Sequence, residues 1–234
     1  MIIGKMSDTM YHQPVMLEEC LQGLNIRPDG VYADLTFGGG GHAKAILSRL
    51  TTGKLIAFDQ DNDSLPQAEA LKNYQQFAFI QSNFRYFYKY LNLYGYKKID
   101  GILADLGISS HQIDDISRGF SIRGNALLDM RMNTSQPKSA KEVLNEYDEN
   151  RLTTILKTYG EVPNAYKIAQ AIVRARTLTP IVQTLQLVEL LKPFAPRGKE
   201  NKFFAQVFQA IRIEVNEEID ALKEMLLATK EALV

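Results

Sequence analysis

Ten residues, DLTFGGGGHA from Asp34 to Ala43, give the strongest structural signal in this chain of 234 residues. They follow a short β-rich segment, VYADLTF, and run into AKAILSRL, whose apolar spacing predicts a helix. Glycine allows the backbone to turn sharply and to approach another molecule without a Cβ atom in between. A glycine-rich turn between a strand and a helix is therefore typical of a binding loop at the edge of a sheet.

Strand and helix signals alternate over the first 110 residues. LIAFDQD, FAFIQSNF and IDGILADLG predict three further strands, and QAEALKNY and FYKYLNLYG predict helices between them. A first helix is expected to begin near Pro14, and Gly53 and Gly95 are expected to end helices. Because apolar runs without alternation are typical of buried parallel strands, we predict an α/β fold with a Rossmann-like, mostly parallel sheet.

The pattern becomes helical after Gly107. Residues 109–137 show no period and predict a long loop. Ser139 and Glu142 form a capping-box pair, and the pair Thr179–Pro180 predicts the start of a later helix. We therefore predict an inserted all-helical domain.

One long helix is predicted from about Phe203 to Leu233, with apolar residues at three- and four-residue steps. Residues 1–110 and 205–234 are thus assigned to one discontinuous sheet domain, and residues 111–204 to the helical insert. Four strands are few for a doubly wound sheet, and so long a helix usually leads to another strand. We therefore expect the sequence to be a fragment that lacks its last strands.

Composition limits the classes of partner. The 27 basic and 27 acidic residues cancel, so any nucleic-acid binding must be local. No apolar run approaches the roughly 20 residues of a membrane span, so no membrane partner is expected. Three histidines and one cysteine offer no metal-ligand spacing, and no metal is expected. The single cysteine, Cys20, fits a reducing cytoplasm and is expected to be a buried structural thiol.

Two carboxylates follow predicted strands. Asp59 ends the second strand, twenty-one residues after Gly38, and Asp105 follows the fourth. Ligands of open α/β sheets bind at the carboxyl ends of the strands, where a carboxylate can accept the hydroxyl groups of an adenosine ribose. The two residues and the glycine turn therefore predict a site for a nucleotide-type cofactor.

The identity of that cofactor is open at this point. Gly38, Gly40 and Ala43 satisfy the permissive dinucleotide pattern, so an NAD-dependent oxidoreductase is one reading. A dinucleotide needs a pyrophosphate cradle at the start of the helix, and His42 crowds that position. A methyl donor such as S-adenosylmethionine carries no phosphate and needs only a close approach of the backbone.

Longer motifs resemble a known family, that of ribosomal RNA small subunit methyltransferase H, which methylates the N4 amino group of a cytidine in 16S ribosomal RNA. The resemblance covers essentially the whole chain, and the combination of DLGISS with LDMRM is its most specific part. The matching segments are His12 to Leu17 (HQPVML), Asp34 to His42 (DLTFGGGGH), Phe58 to Asp61 (FDQD), Ile99 to Ser110 (IDGILADLGISS), Arg118 to Ser121 (RGFS), Leu128 to Met132 (LDMRM), Leu156 to Glu161 (LKTYGE) and Phe208 to Asn216 (FQAIRIEVN).

The resemblance implies S-adenosylmethionine as cofactor, a methyltransferase domain interrupted by a substrate-recognition insert, and 16S ribosomal RNA in the small ribosomal subunit as partner. The donor contacts that it implies are Gly40, Gly41, His42, Asp59, Phe84, Asp105 and Gln112. No catalytic residue is assigned. A homodimer is an open possibility, and a non-catalytic RNA-binding assembly factor is the alternative of another class. The family's C-terminal strands are absent from this sequence, which leaves the activity of the fragment open.

Overall fold

The structure is a computed structural model that describes residues 14–234. His12 and Gln13, with which the family resemblance begins, lie outside the described residues. The chain forms two compact units, Met1–Leu106 with Glu224–Val234, and Gly107–Lys223.

The first unit contains a four-stranded parallel sheet. Its strands are β1 (Val31–Asp34), β2 (Lys54–Asp59), β3 (Phe77–Gln81) and β4 (Gly101–Leu103), in the order β3-β2-β1-β4. All three strand pairs are parallel. The predicted Rossmann-like α/β fold is confirmed.

Four helices accompany these strands. They are α1 (Leu17–Leu24), α2 (Gly41–Leu47), α3 (Leu65–Leu71) and α4 (Phe87–Leu93). The first begins at Leu17 rather than near Pro14, because Met16 has a left-handed backbone with φ of 50° that interrupts helical geometry. Gly95 has φ of 85° just beyond α4, as expected of a residue that follows a helix end.

Helices cover both faces of the sheet. Leu55 and Ala57 of β2 belong to a buried apolar cluster with residues of α2 and α3. Neighbouring strand residues point to opposite faces, and Phe58 packs its ring near Tyr90 of α4, with centroids 6.2 Å apart. Burial on both sides explains why these strands are apolar without alternation.

Gly53 has a role other than the predicted one. It follows the end of α2 by several residues, and a Cβ atom at this position would lie 2.2 Å from the carbonyl oxygen of Gly30. Its N–H donates to the carbonyl oxygen of Pro28. The close approach of two backbone segments, and not a helix end, therefore requires glycine here.

The second unit is helical. It contains α5 (Ser110–Asp114), α6 (Ala140–Glu146), α7 (Glu149–Gly160), α8 (Ala165–Leu178), α9 (Thr184–Leu191) and α10 (Glu200–Val215), and α11 (Glu218–Ala232) begins in it. A buried apolar cluster of residues from α6 to α10 forms its core. The predicted capping box of Ser139 and Glu142 is present at the start of α6.

Two helix starts differ from the prediction. Residues 109–137 are not entirely a loop, because Ser109 and Gln112 form a capping box that begins α5. The helix predicted to start at Thr179 begins at Thr184. Thr179 instead ends α8, and Val182 pairs with Leu128 through a backbone hydrogen bond of 2.9 Å, which keeps the intervening segment extended.

The single long C-terminal helix is also a wrong prediction, because the chain breaks between α10 and α11. Glu217 has φ of 51°, which no continuous helix contains. Asn216 accepts a hydrogen bond of 2.7 Å from the N–H of Met132. This contact with a distant loop favours a break in the helix at this point, although the apolar spacing continues into α11.

The sequence placed a domain boundary at residue 204, whereas the structure groups residues 205–223 with the helical unit. The reason is packing, because Val207, Phe208 and Ile211 of α10 lie in the same buried cluster as α6 and α7. Across residues 14–234, no helix is both long and apolar enough to cross a membrane.

Candidate functional site at the carboxyl edge of the sheet

The glycine turn is fixed between two neighbouring strands. The N–H of Leu35 donates to the carbonyl oxygen of Leu103 at the end of β4, at 2.9 Å. The N–H of Phe37 donates to the carbonyl oxygen of Phe58 in β2, at 3.0 Å. The turn therefore leaves β1 at the carboxyl edge of the sheet, where ligands of this fold bind.

Gly38 and Asp59 are joined directly. The N–H of Gly38 donates a hydrogen bond of 2.7 Å to Oδ2 of Asp59, and the N–H of Asp61 donates one of 2.9 Å to Oδ1. Burial raises the pKa of Asp59 to about 6, although these backbone hydrogen bonds oppose the rise. The two residues that the sequence paired by spacing therefore form one structural unit.

Packing inside the protein explains Gly40 and Gly41. Gly40 has φ of 74°, and a Cβ atom there would lie 2.9 Å from the ring of Phe37. A Cβ atom on Gly41 would lie 2.2 Å from the ring of Pro14. Side chains at these positions would thus collide with the protein itself, so the glycines do not by themselves demonstrate a ligand.

His42 lies in the first turn of α2 and is buried. Its Nε2 atom is 3.1 Å from the carbonyl oxygen of Val15. Pro14 and Val15 therefore cover the beginning of α2, next to the glycine turn.

Thr36 connects Asp105 to the turn. The N–H of Asp105 donates a hydrogen bond of 2.7 Å to the hydroxyl oxygen of Thr36. The N–H of Thr36 in turn donates one of 3.1 Å to Oδ1 of Asp34, the last residue of β1. The residue after β4 is thereby placed beside the end of β1, and the Asp105 side chain is exposed.

Asp34 is the site residue that sequence analysis missed. Its side chain is fully buried, and Oδ2 has no hydrogen-bond partner in the described part of the chain. Burial raises its pKa to about 7, and the charges of Asp59 and Asp105 add to the rise. An unpaired carboxylate oxygen in the interior is costly and marks a functional candidate.

Asp34, Asp59 and Asp105 form a carboxylate cluster at the ends of three adjacent strands. Within the described residues 14–234, no lysine or arginine forms an ion pair with any of them. The same part of the chain contains no group of three His, Cys, Asp or Glu residues arranged to hold a metal ion. The cluster therefore provides negative charge that the protein itself does not balance.

Phe84 lies beyond β3 at the same edge of the sheet. It begins a short 3-10 turn, Phe84–Tyr86, and its side chain is half-buried. The preceding residue, Asn83, donates a hydrogen bond of 2.9 Å to the side chain of Gln60, which directly follows Asp59. The structure thus brings Phe84 to the end of β2, together with the glycine turn.

Gln112 belongs to the helical unit and is buried near the start of α5. Its side-chain oxygen accepts a hydrogen bond of 3.0 Å from the N–H of Ser109. Its contact with a donor stays a prediction.

The loop that carries RGFS and LDMRM is held by its own arginines. Arg131 pairs with both carboxylate oxygens of Asp129, at 2.8 and 2.7 Å. Arg118 donates to the carbonyl oxygen of Arg131 at 2.9 Å. Arg123 differs, because its side chain is exposed and makes no ion pair within the described residues.

A parallel sheet with a glycine turn after β1 and a carboxylate at the end of β2 defines the class of Rossmann-like α/β proteins that bind a nucleoside-containing cofactor. Residues 9–234 match the sequence pattern of the MraW methylase family. The chain belongs to this family of methyltransferases, as its motifs indicated.

Three similar proteins share one name. Ribosomal RNA small subunit methyltransferase H of Cytophaga hutchinsonii is 55% identical over 224 residues, which cover 96% of this chain and 75% of that protein. The protein of the same name from Christiangramia forsetii is 53% identical, with 95% and 73% covered. That of Amoebophilus asiaticus is 52% identical, with 96% and 72% covered.

Proposed function

We propose that this protein transfers the methyl group of S-adenosylmethionine to the N4 amino group of a cytidine in 16S ribosomal RNA. Membership of a methylase family and the names of its relatives support the reaction class and the ribosomal substrate. The choice of N4 rests on the family resemblance of the DLGISS and LDMRM motifs. The observation on which the proposal depends is the hydrogen bond from Gly38 to Asp59, which joins the glycine turn to the strand-end carboxylate.

Six of the predicted donor contacts lie in the sheet unit: Gly40, Gly41, His42, Asp59, Phe84 and Asp105. Asp59 is suited to accept the ribose hydroxyl groups, and the half-buried ring of Phe84 to pack against the adenine. Gln112 belongs to the proposed set through the family resemblance alone. Bound S-adenosylmethionine supplies an electrophilic methyl group on a positively charged sulfur.

The charge of the site favours a sulfonium donor over a dinucleotide. A pyrophosphate at the glycine turn would meet the carboxylate cluster and would be repelled by it. Pro14 and Val15 also cover the start of α2, where a pyrophosphate would need free N–H groups. A cationic donor is instead attracted by the same cluster.

The acceptor step requires an unstacked base. The lone pair of cytosine N4 is delocalised into the ring, so an acceptor for its N–H groups would assist the attack and then take the proton. The residue that performs this task is unassigned. We propose that the helical unit contacts the RNA phosphates and that the target base leaves its stack to reach the donor. Such a reaction belongs in the cytoplasm, where ribosomal subunits mature.

Calorimetric titration tests the donor site. S-adenosylmethionine should bind the native protein, and Asp59→Ala should weaken it by about tenfold or more because the ribose loses a charged acceptor. Asp29→Ala, an exposed aspartate before β1, is the matched control. NAD should not bind. Unchanged affinity in both Asp59→Ala and Asp105→Ala would defeat the site assignment.

A methyl-transfer assay tests the substrate. Small ribosomal subunits and naked 16S RNA from cells that lack the modification are incubated with labelled donor, and the digested nucleosides are separated. We expect N4-methylcytidine as the labelled product. A chain extended to the full length of its relatives that binds the donor but labels neither substrate would instead support the assembly-factor alternative.

A further inference from the structure

Asp34 combines two properties that Asp59 and Asp105 lack. Its side chain has 0% exposure, and its Oδ2 atom has no hydrogen-bond partner among residues 14–234. Oδ1 accepts a hydrogen bond of 3.1 Å from the N–H of Thr36. An ionised carboxylate in this state lacks solvation on one side, whereas a protonated carboxyl group tolerates burial.

Within residues 14–234, the two charges that act on Asp34 are both negative. Asp59 at the end of β2 and Asp105 after β4 act on Asp34 from either side. On α1, the half-buried thiol of Cys20 is also influenced by Asp105. Burial and these two carboxylates raise the pKa of Asp34 to about 7. Without a ligand, the group is therefore close to half-protonated at neutral pH.

We propose that Asp34 distinguishes the cationic methyl donor from its uncharged-sulfur product, S-adenosylhomocysteine, by being ionised with the donor and protonated with the product. This inference rests on the proposed function. The two ligands share adenosine and amino-acid parts and differ by one methyl group with its positive charge. A carboxylate without any cation of its own is the group that responds to that difference.

The proton balance follows directly. When the donor binds, the Asp34 carboxyl group releases its proton to solvent, and the carboxylate then faces a positive charge. When the methyl group leaves, the sulfur becomes neutral, and Asp34 takes up a proton from solvent. Donor binding is thereby favoured as the pH rises through the pKa of Asp34, and product binding is favoured as the pH falls.

The ratio of the affinities for S-adenosylmethionine and S-adenosylhomocysteine isolates the effect of Asp34 protonation. Titration of Asp59 changes the binding of donor and product alike, because both carry the ribose, so the Asp59 contribution cancels in the ratio. We measure both dissociation constants by calorimetry between pH 5.5 and 7.5. The preference for donor over product should fall by roughly fivefold or more toward the acid end, since only the ionised form gains from the sulfonium charge.

Two further measurements complete the test. Titrations of the native protein in two buffers of different ionisation enthalpy count the protons, and donor binding near pH 6 should release more of them than product binding. In Asp34→Asn the donor preference should be low and independent of pH. Asp29→Asn, the same change before β1, should keep the native profile.

The outcomes separate the two proposals. A pH-dependent preference that Asp34→Asn abolishes supports the inference. A donor preference constant between pH 5.5 and 7.5 in a native protein that binds both ligands overturns it and leaves the proposed function intact. Failure of the native protein to bind S-adenosylmethionine at any pH overturns both. The measurements on native protein decide the matter even if Asp34→Asn does not fold.

Discussion

The side-chain amide of Asn216 donates a hydrogen bond of 2.8 Å to the carbonyl oxygen of Met130. Both residues are buried, and Met130 has a left-handed backbone with φ of 58°. Such a conformation is rare for a residue with a long side chain and needs support from its surroundings. Asn216, which directly follows α10, therefore fixes the LDMRM loop, although the two bonded residues are 86 positions apart in the chain.

Replacing Asn216 with alanine should destabilise the protein. The carbonyl oxygen of Met130 and the N–H of Met132 would both lose a buried partner, at a cost of about 2–4 kcal/mol in the free energy of unfolding. Urea denaturation measures this loss. Asn201→Ala, an exposed position on α10, should change stability by less than about 0.5 kcal/mol. Equal effects at the two positions would refute the role of Asn216.

Two glycines of the sheet unit should respond oppositely to alanine. At Gly53 the new Cβ atom would meet the backbone of Gly30, so Gly53→Ala should cost about 1–3 kcal/mol. At Gly23 in α1 nothing lies within 4 Å, so Gly23→Ala should stabilise the helix by up to about 1 kcal/mol. Thermal denaturation of both variants compares them. A neutral Gly53→Ala would contradict the proposed close approach of the two segments.

Asp34 should make the stability of the free protein depend on pH. Its pKa is raised in the folded state to about 7 from the ordinary value of 3.8, so the folded state binds the proton more tightly than the unfolded state. This stabilising contribution is therefore complete below pH 4 and is lost as the pH rises through about 7.

The variant Asp34→Asn removes that dependence. The melting temperature of the variant, relative to that of the native protein, should be higher at pH 8 than at pH 5. The corresponding change in the relative free energy of unfolding should be about 1–4 kcal/mol, because one pKa unit corresponds to about 1.4 kcal/mol. Asp29→Asn controls for the change of net charge. A difference between variant and native protein that stays constant with pH would exclude Asp34 as the titrating group.

The sheet and the place of the candidate site at its edge were predictable because they depend on local patterns. Apolar runs gave the four strands, and the spacing of Gly38 and Asp59 reflects a hydrogen bond that forms in the structure. Asp34 was not recognised, although its position at the end of β1 matches that of Asp59 at the end of β2. Its missing partner and its burial exist only after neighbouring strands have assembled.

The helical unit shows where local patterns fail. The apolar spacing of α10 continues into α11, and only the contact of Asn216 with the distant LDMRM loop explains the break. Thr179 and Pro180 form a good local start signal, but the pairing of Val182 with Leu128 delays the helix to Thr184. Ser109 and Gln112 did carry a capping-box signal for α5, within a loop that otherwise lacks periodicity.

Arg123 is the residue of the RGFS–LDMRM loop from which we expect an RNA contact. Arg118 and Arg131 are engaged in holding the loop, whereas the Arg123 side chain is exposed and makes no ion pair within the described residues. Arg123→Ala should weaken binding to 16S ribosomal RNA a few-fold and lower the slope of log affinity against log salt by about one, the effect of one phosphate contact. Binding is measured by fluorescence anisotropy over a salt series. Arg49→Ala, an exposed arginine of the sheet unit, should leave both quantities unchanged. If Arg123→Ala kept the native slope, the loop would have to approach the RNA without this side chain, and its contribution would be limited to placing the target base.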